Sequence, residues 1–278
     1  MTQLKLAVLD FLLPGETLEA KFANARAFGF DGVEVAIQPE SDLEAVARDV
    51  GAASQATGVP VAALCTAGVH DPLQEDPGLR RERFAGLADL LALADQLGAN
   101  GVVSVPLRPS RGFASKAALD EWTDDLTEQA VNAFGAWAAD LPAGRSAVFL
   151  EPLNRFEATF LRTVGHATEI ARRVDHPRVR ALADLFHMNI EEADMAQPIR
   201  DAGSWLGHVH TADNTRLEPG AGCLDHRPAF AALREIGYDG YVSVECFSPG
   251  GAVLSGPPEI VLPTSTAWMR ERWADTGA

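Results

Sequence analysis

Short apolar runs alternate along the chain with longer segments in which apolar residues recur at helical spacing. Eight apolar runs rich in β-branched residues are bounded by turn-forming residues, and each precedes a helical segment, one of which is shorter than the others. The predicted strands are roughly 4–10, 32–37, 60–66, 101–107, 146–152, 179–186, 206–212 and 241–247. Several are almost continuously apolar, which is typical of parallel strands covered on both faces.

The same junction between helix and strand recurs. FGFDGVEV, LGANGVVSV and IGYDGYVSV each join a helix end, a glycine turn and a new strand, and Gly98 and Gly237 act as helix stop signals. Eight such units in 278 residues match a TIM barrel of typical size. A doubly wound open sheet is the alternative, but its GxGxxG turn is absent after the first strand. We predict an α/β protein with a single (β/α)8 TIM-barrel domain over residues 1–278.

Composition and charge exclude several classes of protein. A formal charge of −16, from 39 acidic and 23 basic residues, disfavours a nucleic-acid partner. Asp10 interrupts the first apolar run and Pro14 ends it, which fits neither a secretory signal nor a membrane span. The three cysteines, Cys65, Cys223 and Cys246, form no CxxC motif, which argues against disulfides and a thiolate zinc site. We therefore expect a cytoplasmic protein without a membrane or nucleic-acid partner.

Polar residues of metal-ligand type end four consecutive strands in the second half of the chain. They are Glu151, Asp184, His210 and Glu245, at spacings of 33, 26 and 35 residues, each about one βα unit. Because active-site residues of a TIM barrel stand at the carboxyl ends of its strands, we expect these side chains to converge. Three buried acids need a compensating cation, and this oxygen-rich set suits Mn²⁺, Mg²⁺ or Co²⁺. The alternative for each residue alone is a local hydrogen bond.

Three other residues are candidates for the surroundings of this point. His208 shares a strand face with His210, so we interpret it as orienting a ligand carboxylate, with a core histidine as the alternative. Asp213 has the same two interpretations. Glu34 lies between two valines, so its carboxylate enters the barrel if the valines face the helices. Glu34 is then either an acidic residue of the active-site pocket or a structural hydrogen-bonding group.

Longer motifs carry a resemblance to a known family. They are EPLNRFE (151–157), DLFHMNIEE (184–192), HVHTADNTR (208–216) and GYDGYVSVE (237–245). In this order and spacing they resemble the xylose isomerase-like TIM-barrel superfamily of sugar isomerases and epimerases. Within it they are most similar to ketose 3-epimerases of the D-tagatose and D-psicose (allulose) type. The resemblance covers nearly the whole chain and is strongest over residues 146–247.

The resemblance implies a set of functional residues. The implied ligands of one divalent metal, Mn²⁺ by preference with Co²⁺ or Mg²⁺ as alternatives, are Glu151, Asp184, His210 and Glu245. Glu151 and Glu245 double as the catalytic acid/base pair. The implied contacts to the hydroxyl and carbonyl oxygens of a small-molecule sugar substrate are Glu157, His187 and Arg216. Assembly into a homodimer or homotetramer is implied as well.

The positions of the three substrate-binding candidates give independent but weaker arguments. Arg216 lies in a loop rich in glycine and proline after the seventh strand, although an ordinary turn is the alternative. His187 follows the sixth strand, where it either donates to a substrate oxygen or caps the next helix. Glu157 and Arg155 lie in the loop after the fifth strand, and Arg155 has a surface ion pair as its alternative role.

The chain also departs from the ketose 3-epimerase pattern. Arg162 stands in FLRT where those enzymes commonly have an asparagine. The fourth loop contains Arg108, Arg111 and Lys116, which either meet a phosphate or carboxylate or form a solvated loop. These differences leave the identity of the sugar open.

The predicted residues suit epimerisation beside a ketone through an enediolate, with two carboxylates on opposite sides of the substrate. Aldose–ketose isomerisation uses the same groups. Hydroxypyruvate isomerase and inosose dehydratase are alternatives in the same superfamily. A DNA-repair nuclease of the endonuclease IV type is disfavoured by the charge of −16 and by a ligand set with one histidine. A non-catalytic sugar-binding barrel is expected to lack one of the two glutamates.

Overall fold

Eight parallel strands form a closed barrel in which each strand pairs with the next in the sequence and the last pairs with the first. The computed structural model describes residues 3–66, 71–106, 116–248 and 251–277, without the side chains of 116–124. The barrel strands are β1 (Lys5–Leu9), β2 (Gly32–Ile37), β3 (Val61–Thr66), β4 (Gly101–Ser104), β5 (Ala147–Leu150), β6 (Val179–Asp184), β7 (Leu206–Thr211) and β8 (Tyr241–Val244). The predicted α/β fold, a (β/α)8 barrel, is confirmed.

Helices connect the strands around the outside of the barrel. They are α1 (Leu18–Ala27), α2 (Leu43–Thr57), α3 (Pro77–Leu97), α4 (Lys116–Ala139), α5 (Val164–Val174), α6 (Leu185–Glu191), α7 (Ala196–Ala202), α8 (Arg227–Glu235) and α9 (Pro258–Asp275). A hairpin of β9 (Phe247–Ser248) and β10 (Gly251–Ala252) follows β8. Within the described ranges, no helix has the length and apolar character that crossing a membrane requires.

Capping residues set the ends of these helices. The side-chain oxygens of Thr17, Asp42 and Thr163 accept backbone N–H groups in the first turns of α1, α2 and α5. Gly98 ends α3 in the left-handed conformation, with φ of 71°. Gly237, with φ of 67°, lies just beyond α8. Both glycine stop signals are therefore confirmed.

Several strands end earlier than the apolar pattern predicts. β4 ends at Ser104 and β5 at Leu150, whereas the predicted strands extend to residues 107 and 152. Pro106 and Pro152 lie in the segments that are predicted as strand but lie outside the sheet. Proline has no N–H group to donate to a neighbouring strand. The chain therefore leaves the sheet at the mouth of the barrel, where the candidate site residues stand.

Phe149 fills the interior of the barrel below these residues. Its ring is 2% exposed and stacks on the imidazole of His208, with centroids 5.2 Å apart and planes at 9°. A Cβ atom at Gly101 or Gly207 would lie 2.6 Å from the ring, so these glycines provide the space for it. The apolar side chains packed with Phe149 are Ala63, Val103, Ala147 and Leu182.

Phe149→Ala should lower the free energy of unfolding by about 3–5 kcal/mol, because it leaves a cavity in the barrel interior. The matched control is Phe156→Ala, at a ring that is 64% exposed, with an expected change within about 0.5 kcal/mol. Urea denaturation of both variants measures the difference. Equal losses in the two variants would contradict the role assigned to Phe149.

Candidate metal centre and active site

The four predicted ligand residues converge at the carboxyl end of the barrel. Glu151, Asp184, His210 and Glu245 each offer a ligand atom, and these atoms all lie within 4.8 Å of one another. Each residue is at most 4% exposed. Three carboxylates and one imidazole form a donor set that fits a hard divalent cation such as Mn²⁺, Co²⁺ or Mg²⁺. The arrangement agrees with the spacing argument from the sequence.

Strand pairing explains this convergence. Asp184 is the last residue of β6 and stands in register with His210 on β7. Glu151 and Glu245 are the first residues after β5 and β8, and each remains bonded to a neighbouring strand. The N–H group of Glu151 donates to the carbonyl of Ser104 and that of Glu245 to the carbonyl of Thr211, both at 3.0 Å. Backbone bonds thus position both glutamates where their strands end.

His210 has different neighbours on its two ring nitrogens. Its Nδ1 lies 3.1 Å from Glu151 Oε1 and 3.3 Å from Glu245 Oε2, facing the cluster. Its Nε2 lies 2.9 Å from Glu34 Oε1, while Glu34 Oε2 lies 2.9 Å from His208 Nε2. Glu34 therefore enters the barrel, as the valine pattern predicts. His208 contacts Glu34 rather than a ligand carboxylate, which corrects its predicted contact.

Burial and mutual repulsion control ionisation in the cluster. Burial, together with the charge of Glu245, raises the pKa of Glu151 to about 7. Burial alone would lower the pKa of His210, but the carboxylates of Glu245, Glu34 and Glu151 raise it well above its ordinary value. Burial also opposes ionisation of Asp184, but the nearby charges of Arg216, His187 and His210 together outweigh burial and hold the pKa of Asp184 low. Without a metal, Glu151 and His210 therefore keep their protons to a higher pH than usual.

Arg216 bridges two of the candidate ligands. Its Nη1 lies 2.7 Å from Asp184 Oδ2 and its Nη2 lies 2.5 Å from Glu245 Oε2. The central carbon of the guanidinium lies over the rings of Phe186 and Phe247, at 4.5 and 4.9 Å from their centroids. The side chain is 11% exposed and lines the cavity above the cluster. This predicted substrate-binding residue thus lies directly beside the candidate metal centre.

Asp213 organises the loop that carries Arg216. Its carboxylate accepts the backbone N–H groups of Asn214, Gly220 and Leu224 at 2.8 to 3.0 Å. Arg216 has a φ of 63°, a left-handed conformation uncommon for a residue with a Cβ atom, and its N–H donates to the Asp213 carbonyl. The predicted contact of Asp213 with a ligand is thus replaced by contacts within this loop.

His187 and Glu157 are joined by Asn154. The backbone N–H of Asn154 donates to His187 Nδ1 at 3.2 Å, and its side-chain Nδ2 donates to Glu157 Oε1 at 2.7 Å. Because Nδ1 accepts, a neutral His187 carries its proton on Nε2, which lies 3.5 Å from Asp184 Oδ2. Burial lowers the pKa of His187, which favours this neutral form. His187 thus offers an N–H donor to the cavity, and Glu157 offers a carboxylate.

The cavity above the cluster has a volume of about 730 Å³. Its lining includes residues that sequence reasoning missed, namely Phe11, Gln38, Cys65, Leu153, Phe247 and Ser248. Asn154 was missed as well, although it belongs to the EPLNRFE motif. Phe247 could have been predicted from its position, because it lies two residues after Glu245, beyond the last barrel strand.

The other arginines singled out by sequence do not line this cavity in the described part of the chain. Arg155 is exposed and forms an ion pair, with Nε 2.7 Å from Glu191 Oε1, in agreement with its alternative interpretation as a salt-bridged surface charge. Arg162 precedes Thr163, the N-cap of α5. Arg108, Arg111 and the side chain of Lys116 lie outside the described residues.

The chain belongs to the xylose isomerase-like TIM barrel family, whose model matches residues 22–272. It is 30% identical over 269 residues to the 3-dehydro-D-guloside 4-epimerase of Escherichia coli (strain K12), covering 92% of this chain and 95% of that protein. It is 31% identical over 247 residues to the D-psicose 3-epimerase of Ruminiclostridium cellulolyticum, covering 82% and 78%. These relatives are epimerases, members of the isomerase class, and the resemblance inferred from the motifs is confirmed.

Solved structures agree with this assignment. The apo crystal structure of 3-keto-D-glucoside 4-epimerase from E. coli has a TM-score of 0.80 and 28% identity, covering 97% of this chain and 100% of that one. A structure of L-ribulose 3-epimerase has a TM-score of 0.81, covering 99% of this chain and 96% of that one. Its identity of 23% supports a common fold alone.

Asp184→Asn should weaken Mn²⁺ binding by at least about 10–100-fold, because it removes a charged ligand and loss of even a hydrogen-bond partner of a ligand has an effect of that size. The asparagine oxygen can still accept the N–H of Phe186, as Asp184 Oδ1 does at 2.8 Å, so the start of α6 is retained. Electron paramagnetic resonance of free Mn²⁺ during a titration measures the affinity. Asp194→Asn, at an exposed residue bonded to the N–H of Ala196, is the matched control. Wild-type affinity in the Asp184 variant would remove Asp184 from the ligand set.

Mn²⁺ affinity should increase as the pH rises from about 6 to 8, because the ion displaces protons from Glu151 and His210. The raised pKa of Glu151, about 7, means that its ionisation destabilises the metal-free protein as pH rises through that value. Calorimetry at about pH 6 in two buffers of different ionisation enthalpy should detect the released protons. Glu151→Gln should release fewer, and heats independent of the buffer would contradict the prediction.

Proposed function

We propose that this chain is a metal-dependent sugar epimerase that inverts a carbon next to a ketone through an enediolate, with ketose 3-epimerisation as its activity. The observation that carries the proposal is the pair Glu151 and Glu245. They follow β5 and β8, face one cavity and share a cluster with Asp184 and His210 that suits a divalent cation. Such a pair provides a proton acceptor and a proton donor beside one substrate.

Each polar residue around the cavity has a proposed task. Mn²⁺, or alternatively Co²⁺ or Mg²⁺, held by the four-residue cluster, would supply Lewis-acid stabilisation of the charge that develops on oxygen. Glu151 and Glu245 are separated around the barrel by β6 and β7, so they approach the reacting carbon from different sides. One removes the proton and the other returns a proton to the opposite face. In the reverse reaction they exchange these tasks.

Arg216, His187 and Glu157 orient the substrate. The guanidinium of Arg216 donates to an oxygen next to the cluster, where it also neutralises part of the carboxylate charge. The Nε2–H group of His187 donates to a second oxygen. Glu157, held by Asn154, accepts from a hydroxyl further along the sugar. These contacts hold the carbon between the two glutamates, and the names of the relatives support a small-molecule sugar as the substrate.

A second candidate activity is 4-epimerisation of a 3-keto-glycoside. A specific observation favours it: the 3-dehydro-D-guloside 4-epimerase of E. coli aligns over 95% of its own length. The solved 3-keto-D-glucoside 4-epimerase has 28% identity to this chain, compared with 22% for the D-psicose 3-epimerase crystallised in the presence of D-fructose. Both activities invert a carbon beside a ketone and would use the same glutamates. They differ in the positions of the ketone and of the inverted carbon.

We also propose, on the sequence resemblance, that Mn²⁺ is the preferred metal and that the protein forms a homodimer or homotetramer. A cytoplasmic location is also proposed. Hydroxypyruvate isomerase and inosose dehydratase remain the alternatives within the superfamily. The net charge of −16 opposes the nuclease alternative, because a nuclease needs a basic surface for DNA.

Incubation with substrate in deuterated water should place deuterium at the inverted carbon, because Glu151 and Glu245 exchange their protons with solvent. The substrate panel contains free ketoses, phosphorylated ketoses, hydroxypyruvate and a 3-keto-glucoside, each analysed by NMR. Deuterium at C3 of a ketose supports the first activity, and deuterium at C4 of the 3-keto-glucoside supports the second. Deuterium at C2 of an aldose product, with label at C1 of the recovered ketose, would make the protein an isomerase. Turnover without deuterium would contradict the proposed two-carboxylate mechanism.

Glu151→Gln and Glu245→Gln should each lower kcat by about 10²–10⁴-fold, since one face of the substrate then lacks its acid or base. Mn²⁺ binding is measured in parallel, so that loss of the metal is separated from loss of proton transfer. The matched control is Glu169→Gln, at an exposed side chain on α5. Retention of full activity and exchange in either active-site variant would remove that glutamate from the mechanism.

A further inference from the structure

Glu34 and His208 form a fully buried polar pair beneath the candidate metal centre. Both residues are 0% exposed, and neither takes part in the proposed proton transfers or substrate contacts. Each oxygen of the Glu34 carboxylate lies 2.9 Å from an imidazole nitrogen, Oε1 from His210 Nε2 and Oε2 from His208 Nε2. The carboxylate therefore joins the two rings in a single hydrogen-bonded chain.

We propose that Glu34 and His208 are positioning residues that hold His210 with its Nδ1 toward the metal. The inference rests on the metal centre of the proposed function, but it does not depend on the substrate. An imidazole that binds a cation through Nδ1 carries its proton on Nε2. An ionised carboxylate has no proton to donate, so Glu34 accepts the Nε2–H group and favours this tautomer. It also fixes the rotation of the His210 ring.

His208 holds Glu34 in place. Its Nε2 is the neighbour of Glu34 Oε2, and donation from this nitrogen leaves the second oxygen of the buried carboxylate with a partner. The face of the His208 ring packs on Phe149, which restricts the plane of the imidazole. Among the described residues, His208 Nδ1 is buried without a hydrogen-bond partner. The geometry thus favours a neutral His208 whose single proton lies on Nε2.

The same residues offer a competing interpretation. Glu34, His208 and His210 also have ligand-type atoms within 4.8 Å of one another, so they are themselves a candidate metal-binding group. The positioning role requires protons on the two Nε2 atoms, whereas a second ion would replace them. The number of ions bound per chain therefore distinguishes the two interpretations. One equivalent of Mn²⁺ is expected.

Glu34→Met should weaken Mn²⁺ binding by about 10–100-fold, the usual effect of losing a hydrogen-bond partner of a metal ligand. Glu34→Gln should weaken it less than about tenfold, because the amide oxygen can still accept from His210 Nε2. Its NH₂ group then faces His208, whose proton can move to the partnerless Nδ1. A space-filling role would instead predict similar binding in both variants, since methionine and glutamine have side chains of similar length.

The affinities and the stoichiometry are measured by Mn²⁺ titration, and thermal unfolding of each metal-free variant confirms that it is folded. Ser146→Ala, another buried polar residue, directly before the start of β5, is the control for disturbance of the interior and should bind Mn²⁺ as the wild type does. Wild-type affinity in Glu34→Met, or two equivalents of Mn²⁺ per wild-type chain, would overturn the proposal. Absence of any divalent-ion binding by the wild type would instead overturn the metal centre on which it rests.

Imidazole ¹⁵N NMR of the Mg²⁺-loaded wild type tests the tautomers directly and does not require the methionine variant to fold. The proposal predicts protons on Nε2 of both His208 and His210. In Glu34→Gln, the His208 proton should move to Nδ1 while His210 keeps its proton on Nε2. A proton on Nδ1 of His208 in the wild type would overturn the proposed chain of hydrogen bonds.

Discussion

The concentration of buried negative charge at the mouth of the barrel is the constraint on which the candidate site depends. Glu34, Glu151, Asp184 and Glu245 are each at most 4% exposed. Carboxylates that are close together in a poorly solvated interior repel one another, and each loses the solvation that stabilises its charge in water. The raised pKa of Glu151 is the direct result. A divalent cation relieves this repulsion, which is why the cluster suits a metal.

Arg216 and its loop meet the same constraint from the protein side. The guanidinium bonds to both Asp184 and Glu245, and it also lies over two phenylalanine rings. Arg216 itself has a left-handed backbone conformation, and the carboxylate of Asp213 stabilises the loop by accepting the backbone N–H groups of Gly220 and Leu224. Hydrogen bonds to the Asp213 carboxylate therefore fix the conformation of this irregular loop.

The barrel interior is layered from one end to the other. Phe149 and small apolar side chains fill the lower part, Glu34 and His208 form a polar layer above them, and the four-residue cluster stands at the mouth. His208 joins the first two layers because it stacks on Phe149 and bonds to Glu34. The proposed positioning of His210 at the mouth therefore depends on the packing of Phe149 below it.

The sequence alone predicts the barrel and the four cluster residues, because both follow from local information. Strand and helix periodicities repeat within each βα unit, and Glu151, Asp184, His210 and Glu245 each interrupt an apolar run where a strand ends. Strand ends were less well predicted where proline follows. The contact between Glu34 and His208 was not predictable, since it joins residues 174 positions apart that meet through barrel closure. Asn154, Asp213 and Phe247 acquired their contacts in the same way: tertiary structure decided which side chain each polar group would meet, because hydrogen bonds depend on three-dimensional distance and direction.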